Sequence, residues 1–179
     1  RLRPPQKPNV CVMSYVVAID VGIKNLGLCV YDFITSQVVH WETVSLATKY
    51  QPMLNVRYVR EFVESHAHYF EHAQTVLVER RMRCNMRIIE AVFHTLFYDT
   101  CIILNPRSVK LHYGLCMHNY RANKERAVEW ATDFVESNPR VIAETPKQTW
   151  TSSKKRDDLA DALLLVMYYL DTYSNQLED

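Results

Sequence analysis

A mixed α/β sheet with helices on its faces is the fold class this sequence predicts. Three observations carry it. The first fifty residues hold three runs of strand formers separated by turns, and helical periodicity then alternates with short apolar strands. The longest apolar stretch, Ala162 to Leu170, falls inside a helical pattern and is about half of what a bilayer span requires. With 179 residues, 48% of them hydrophobic and 23% charged, the chain has material for one sizeable core and too little for two.

The elements follow in order. Residues 1–14 read as a flexible N-terminal leader, with Pro4, Pro5 and Pro8 among polar neighbours and Met13 as a candidate native start; residues 15–179 read as a single domain. Tyr15 to Asp20 is β-branched and apolar, and after the turn spanning Gly22 to Gly27 come Leu28 to Phe33 and Val38 to Leu46, which together suggest an antiparallel meander. From Pro52 to Phe70, Leu54, Val59, Phe62, Val63, Ala67 and Phe70 recur at helical spacing. Thr75 to Glu79 is a buried strand, Met86 to Tyr98 a helix, and Cys101 to Leu104 a fifth strand that Asn105-Pro106 stops. A helix from Asn123 to Val135, an irregular polar segment from Ser137 to Ser153 and a last helix from Lys154 to Thr172 complete a five-stranded sheet flanked by helices.

Charge is balanced in sum and uneven in place. The formal net charge is +1, yet from Arg80 to Arg126 basic residues outweigh acidic ones, and beyond Asp157 there is no lysine or arginine. The five cysteines are odd in number, widely spaced and free of Cys-x-x-Cys pairs, as expected of reduced thiols in the cytoplasm or nucleus. No signal-peptide pattern is present, and neither a secretory nor a membrane class is indicated.

The chemistry lies in carboxylates at element ends. Only three glycines occur, and Gly22 and Gly27 closely follow Asp20, at the end of the first strand, where a turn must pass near a neighbouring strand or a phosphate. Glu79 leaves a second buried strand beside the basic run Arg80-Arg81-Met82-Arg83. In the last helix Asp158 and Asp161, three apart, lie about 60° from each other around the axis, and Asp157 and Asp161, four apart, also share a face; spacing does not choose between the pairs. Acids in a first helical turn are stabilised by the macrodipole alone, but Asp161 stands a full turn in, next to the apolar run from Ala162. Together these residues offer an oxygen-rich cluster suited to Mg²⁺ or Mn²⁺ rather than zinc. Two such ions about 4 Å apart would activate a water and stabilise the leaving oxygen in phosphodiester hydrolysis.

The Asp20-x-Gly opening, the Val-Glu79 strand end, the Asn-Lys124-Glu-Arg-Ala-Val helix start and the closing Asp158-Leu-Ala-Asp161-Ala-Leu resemble, over residues 15 to 172, the RuvC-like Holliday-junction resolvases. The likeness is greatest to their compact branch in poxviruses and other large DNA viruses. It implies an RNase H-like fold and a homodimer that nicks four-way DNA junctions in pairs, using two Mg²⁺ ions for which Mn²⁺ can substitute, at sites of DNA replication in the cytoplasm or nucleus. By position it makes Asp20, Glu79, Asp158 and Asp161 the metal-binding carboxylates, preferring Asp158 to Asp157. Lys124 is the first candidate for the lysine at the scissile phosphate and Lys110 the second. Arg80, Arg81, Arg83, Arg87 and Lys110 are the expected phosphate contacts. The segment from Arg140 to Arg156 is longer and more polar than the pattern.

Other readings remain at this stage. An actin-like ATPase also opens on an Asp-x-Gly hairpin but needs a second phosphate hairpin, and one uncommitted glycine, Gly114, is left. Another RNase H-like nuclease acting on RNA or branched DNA would share the carboxylates, and a non-catalytic junction-binding module would not need all four. His112, Cys116 and His118 lack a fourth zinc ligand, and His66, His68 and His72 read as a helix surface. Tyr113 and Tyr120 flank a loop near Lys110 and Lys124, where they could meet unpaired bases.

Overall fold

The computed structural model describes residues 13–117 and 119–173; nearly all of the expected leader, together with Cys11 and His118, lies outside them. Strands β1 (Tyr15–Asp20), β2 (Leu26–Asp32), β3 (Gln37–Val44), β4 (Ala73–Glu79) and β5 (Cys101–Leu104) form one sheet in the order β3-β2-β1-β4-β5. The first three pair antiparallel as the expected meander, whereas β4 joins β1, and β5 joins β4, in parallel.

The helices divide between the two faces. Helices α1 (Asn55–Ser65), α2 (Ala67–Glu71) and α3 (Cys84–Leu96) belong to one side; α4 (Pro106–His112), α5 (Tyr120–Ser137), α6 (Glu144–Ser152) and α7 (Arg156–Tyr173) belong to the other. Strand alternation feeds both cores: Val17 and Ile19 of β1 face the first group, while Val16 and Ala18 face the second. The central strands are therefore buried almost throughout, as parallel neighbours covered on both faces require.

Four expectations change in detail. The single helix expected from Pro52 to Phe70 is a 3₁₀ turn, Pro52–Leu54, followed by α1 and α2 with a break at His66, whose backbone (φ −118°, ψ 22°) leaves the helical region. The break keeps Phe62 and Phe70 both facing the core. Asn105-Pro106 ends β5 but also starts α4, because Asn105 Oδ1 accepts from Arg107 N at 2.9 Å and proline is pre-set for a first turn. Helix α5 begins earlier than periodicity suggested, at Tyr120, capped by Asn119 Oδ1 accepting from Ala122 N at 2.7 Å. Within the segment read as irregular, Val141 and Ala143 bond to Val38 along the outer edge of β3, and Glu144–Ser152 is helical.

Helix α6 buries Pro146 and Trp150. Trp150 is 4% exposed and stacks on Trp41 of β3 with ring centroids 4.9 Å apart and planes 3° from parallel. Trp41 also donates its indole N–H to Leu159 O at 2.9 Å, which fixes the first turn of α7 against the sheet.

Candidate active site

The site grows from strand parity. Asp20 continues the Val16, Ala18 row of β1, and Glu79 continues the Thr75, Leu77 row of β4, so both carboxylates emerge at the C-terminal ends of adjacent parallel strands on the face that α7 covers. Both are buried, at 2% and 6% exposure. Asp158 and Asp161 come down from α7, with side-chain exposures of 14% and 13%.

Gly27 allows this approach. It pairs with Asp20 across β1 and β2, and a Cβ there would lie 2.4 Å from Asp158 O and 3.2 Å from Ala162 Cβ. The missing side chain is the space into which the first turn of α7 descends, so the Asp158 backbone lies directly over Gly27, the partner of Asp20. Gly22 serves the turn before it, since a Cβ at that position would lie 2.0 Å from Asn25 O.

Cations accompany the carboxylates. The Arg81 guanidinium bonds Asp20 Oδ1 and lies 2.9 Å from Glu79 Oε2, while its backbone N–H donates to Glu90 Oε2 at 2.6 Å and so ties this loop to α3. Lys110 Nζ of α4 lies 2.9 Å from Asp161 Oδ1. Lys124 Nζ of α5 contacts Asp157 and stands 4.0 Å from Asp158 Oδ1. All four expected metal-binding residues thus gather in one region, and the two candidate lysines divide: Lys110 meets the inner carboxylates, Lys124 their outer flank. Arg81 is turned inward, unlike the exposed Arg80, Arg83 and Arg87.

Electrostatics reflect the crowding. Burial, then the charge of Glu79, pushes Asp20 well above the ordinary carboxylate range, although Arg81 opposes this. Burial also raises Asp161 against the pull of Lys110, and burial with the neighbouring Asp157 raises Asp158. Burial alone would lower Lys110, but Asp161 with Glu79 and Asp20 together raise it and the ammonium is held charged; Lys124 is held charged against its own burial by Asp157 together with Tyr120. Buried Asp158 Oδ2 has no hydrogen-bond partner, and Glu79 Oε2 and Asp161 Oδ1 have only their ion-pair contacts, without hydrogen-bond geometry. Buried, under-satisfied, mutually repelling oxygens fit a hard dication, which takes oxygen ligands and cancels their charge. Among the described residues these oxygens do not close to ligand spacing as a set: the group of three or more whose donor atoms lie within 4.8 Å of one another is His40, Glu42 and His66, on the other face of the sheet. Arg81 and Lys110 supply the positive charge among the carboxylates instead.

A cleft of about 540 Å³ opens over Glu79 and Asp161 and is rimmed by Arg80, Arg81, Arg83, Arg107 and Lys110. Tyr120, 74% exposed, separates it from a second depression beside Lys124, Lys154 and Arg156. Arg107, Lys154 and Arg156 were not singled out from the sequence; Arg107 sits one residue into a helix that was not expected, and the other two border the segment read as irregular. The remaining sequence candidates resolve differently. Tyr113 donates to Asp171 Oδ2 at 2.7 Å and packs against Trp130, so it is not free to meet bases. His112 turns to Asp171 and Cys116 to Arg107 O, and no zinc cluster forms from them among the described residues. His66 is no surface histidine, since its side chain is 14% exposed and bonded to Glu42.

A sequence family described as Poxvirus A22 protein matches residues 14–172. No curated protein matches the chain. Among solved structures, the fowlpox virus Holliday junction resolvase superposes with a TM-score of 0.64 at 16% identity, covering 88% of this chain and 98% of its own. The yeast mitochondrial Holliday junction resolvase does so with 0.68 at 17% identity, covering 93% and 86%. RuvC from T. thermophilus, solved in complex with a Holliday junction substrate, gives 0.54 at 15% identity, covering 90% and 97%. At such identities the likeness is one of fold: the five-stranded mixed sheet is RNase H-like.

Proposed function

The chain belongs to the poxvirus A22 protein family, and from that premise we propose that it is a structure-selective endonuclease that resolves four-way DNA junctions. The observation that carries the reading is the convergence of Asp20, Glu79, Asp158 and Asp161, from three separate elements, under a basic rim. The fold it shares with the fowlpox and yeast mitochondrial junction resolvases and with RuvC agrees with that chemistry.

We assign the four carboxylates to Mg²⁺, for which Mn²⁺ can substitute; when bound, it supplies a polarised water for attack on phosphorus and charge for the departing oxygen. The chain's own groups do the rest. Arg81 holds Asp20 and Glu79 in place by contacts to both carboxylates. Lys110 is the inner lysine, charged and aimed at Asp161, and is placed to neutralise a scissile phosphate; Lys124 orients Asp157 and the start of α7. Arg80, Arg83, Arg87 and Arg107 offer exposed charge to the sugar-phosphate backbone, which positions the DNA without reading its bases.

Paired nicks need two sites, so we propose a homodimer. Its support is the exposed apolar flank of α3, where Ile88 and Leu96 are 48% and 45% exposed beside Val92, with Val56 of α1 at 55%. The described cysteines are free thiols, in keeping with action in a reducing compartment, the cytoplasm or nucleus, at sites of DNA replication.

The test is cleavage of a labelled synthetic four-way junction against an equal amount of matched linear duplex, with Mg²⁺ and with EDTA, beside Asp20→Asn. Symmetric paired nicks in the junction alone, lost with EDTA and in the variant, are expected. Equal cutting of both DNAs would overturn junction selectivity, and a variant cutting at the wild-type rate would overturn the carboxylate assignment.

A further inference from the structure

On the opposite face of the sheet a different donor set converges. His40 and Glu42, two apart on β3, project to the same side, towards α1 and α2. His66 reaches them from the break between those helices. Its Nε2 lies 2.7 Å from Glu42 Oε1, and His40 Nε2 lies 3.0 Å from the same oxygen. The three donor atoms all lie within 4.8 Å of one another.

We propose that His40, Glu42 and His66 form a binding site for a zinc-class transition-metal dication, separate from the oxygen-rich cluster and tying the strand β3 to the α1–α2 junction.

The protonation pattern argues for it. His66 Nδ1 lies 2.8 Å from Phe62 O, a carbonyl that can only accept, so this nitrogen carries a proton and leaves Nε2 facing Glu42 for a proton or a metal ion. Nitrogen and carboxylate oxygen at this distance need a cation between them, a proton or a metal ion. A proton on His66 would serve one imidazole, but two converge here, and His40 Nε2 is buried without a hydrogen-bond partner. One dication shared by three donors satisfies all of them. The Phe62 carbonyl is the kind of partner that orients a ligating histidine and fixes its tautomer. Phe62 also walls His66 at 4.6 Å between ring centroids, and Tyr69 walls His40 at 4.9 Å.

The donor chemistry selects the metal. Two imidazoles and a carboxylate suit Zn²⁺ and its neighbours, whereas Mg²⁺ takes oxygen and keeps its waters. Tetrahedral coordination with bonds of about 2.0 Å spaces donor atoms about 3.3 Å apart, beside the 2.7 and 3.0 Å that separate the two imidazoles from Glu42 Oε1. Glu42 is 34% exposed, leaving a fourth position open to water.

The test uses the full chain stripped with a chelator, then titrated with Zn²⁺ by calorimetry and with Co²⁺ by visible absorption, in excess Mg²⁺ and after thiol alkylation. Expected are one tight Zn²⁺ per chain, a Co²⁺ ligand-field band, and a melting temperature raised by roughly 5–10 °C at a hundredfold excess over Kd. His66→Gln and His40→Gln, each checked for folding by circular dichroism, should weaken Zn²⁺ by at least about tenfold, while Asp161→Asn leaves it unchanged. His40 is part-exposed on its strand, so its variant keeps the test open should His66→Gln unfold. Absence of Zn²⁺ uptake, uptake undiminished in the histidine variants, or uptake abolished by Asp161→Asn or by alkylation would each overturn the assignment. None of these outcomes bears on junction cleavage, so the two readings stand or fall separately.

Discussion

Gly27→Ala is the sharpest perturbation that the architecture suggests, because it adds one methyl group at the point where α7 meets the sheet. The new Cβ would stand 2.4 Å from Asp158 O and 3.2 Å from Ala162 Cβ, against an ordinary contact near about 3.4 Å. The first obstacle is backbone, so no side-chain rotation relieves it, and the start of α7 must retreat by about 1 Å. Overpacking of this kind costs about 1–3 kcal/mol, or roughly 2–12 °C in melting temperature for a chain of this size. The same displacement carries Asp158 and Asp161 away from Asp20 and Glu79, and a misplacement of about 1 Å at a reacting centre costs about 100-fold in rate. Urea denaturation and single-turnover junction cleavage should be measured on the same preparation, at a temperature where the variant is folded. Loss of cleavage well beyond the small unfolded fraction is the expected result. Full stability with full activity would refute the argument that the absent side chain sets the distance between helix and strands.

Other outcomes follow from the same contacts. Lys110→Ala should slow junction cleavage by about 100-fold or more, as loss of a preorganised charge does, and by more than Lys124→Ala, because Lys110 meets Asp161 and Lys124 meets the outer Asp157; the reverse order in single-turnover rates would exchange their roles. Trp150→Ala removes the stack on Trp41 and the wall beside Arg156, and should cost about 3–5 kcal/mol in chemical denaturation. In EDTA the Glu42–His66 pair should shape stability against pH. The His40 ring beside it, then the hydrogen bond with His66, draw Glu42 down to about 2 from its ordinary 4.5, so its contribution is present above 4.5 and lost as pH falls through about 2. The bond to Glu42 raises His66 above its ordinary 6.5, so its contribution is whole below 6.5 and fades as pH rises through the folded value. Glu42→Gln should flatten the pH profile of the melting temperature on both sides, and an unchanged profile would refute the pairing.

Much of the fold was legible because its signals are local. The strands of the meander, β4 and β5 are apolar and β-branched, and α7 carries its own apolar run; those properties hold wherever the segments pack. The acids at element ends were legible for the same reason: Asp20 and Glu79 each break an apolar strand at its last residue, and Asp161 stands a turn too deep for a macrodipole role. Helices α4 and α6 were not. The first begins on Asn-Pro, which stops a strand and caps a helix equally well, and the second is polar, its tryptophan stacked on a partner more than a hundred residues away on β3.

The side chains of the site divide along the same line. Residue type and order suffice to say which residues can ligate, which strands end in acid and that an economy of glycine marks the turn beside Asp20. Only the tertiary structure decided that Arg81 turns inward while its neighbours face solvent, that Lys110 rather than Lys124 meets the inner carboxylates, and that His66 joins His40 and Glu42. Each of these is a contact between elements distant in the chain, fixed by strand register and by the depth to which α7 descends over Gly27. Local propensity specifies a residue's element and face; which partner stands opposite is set by packing, where a shift of one residue in register would exchange every pair.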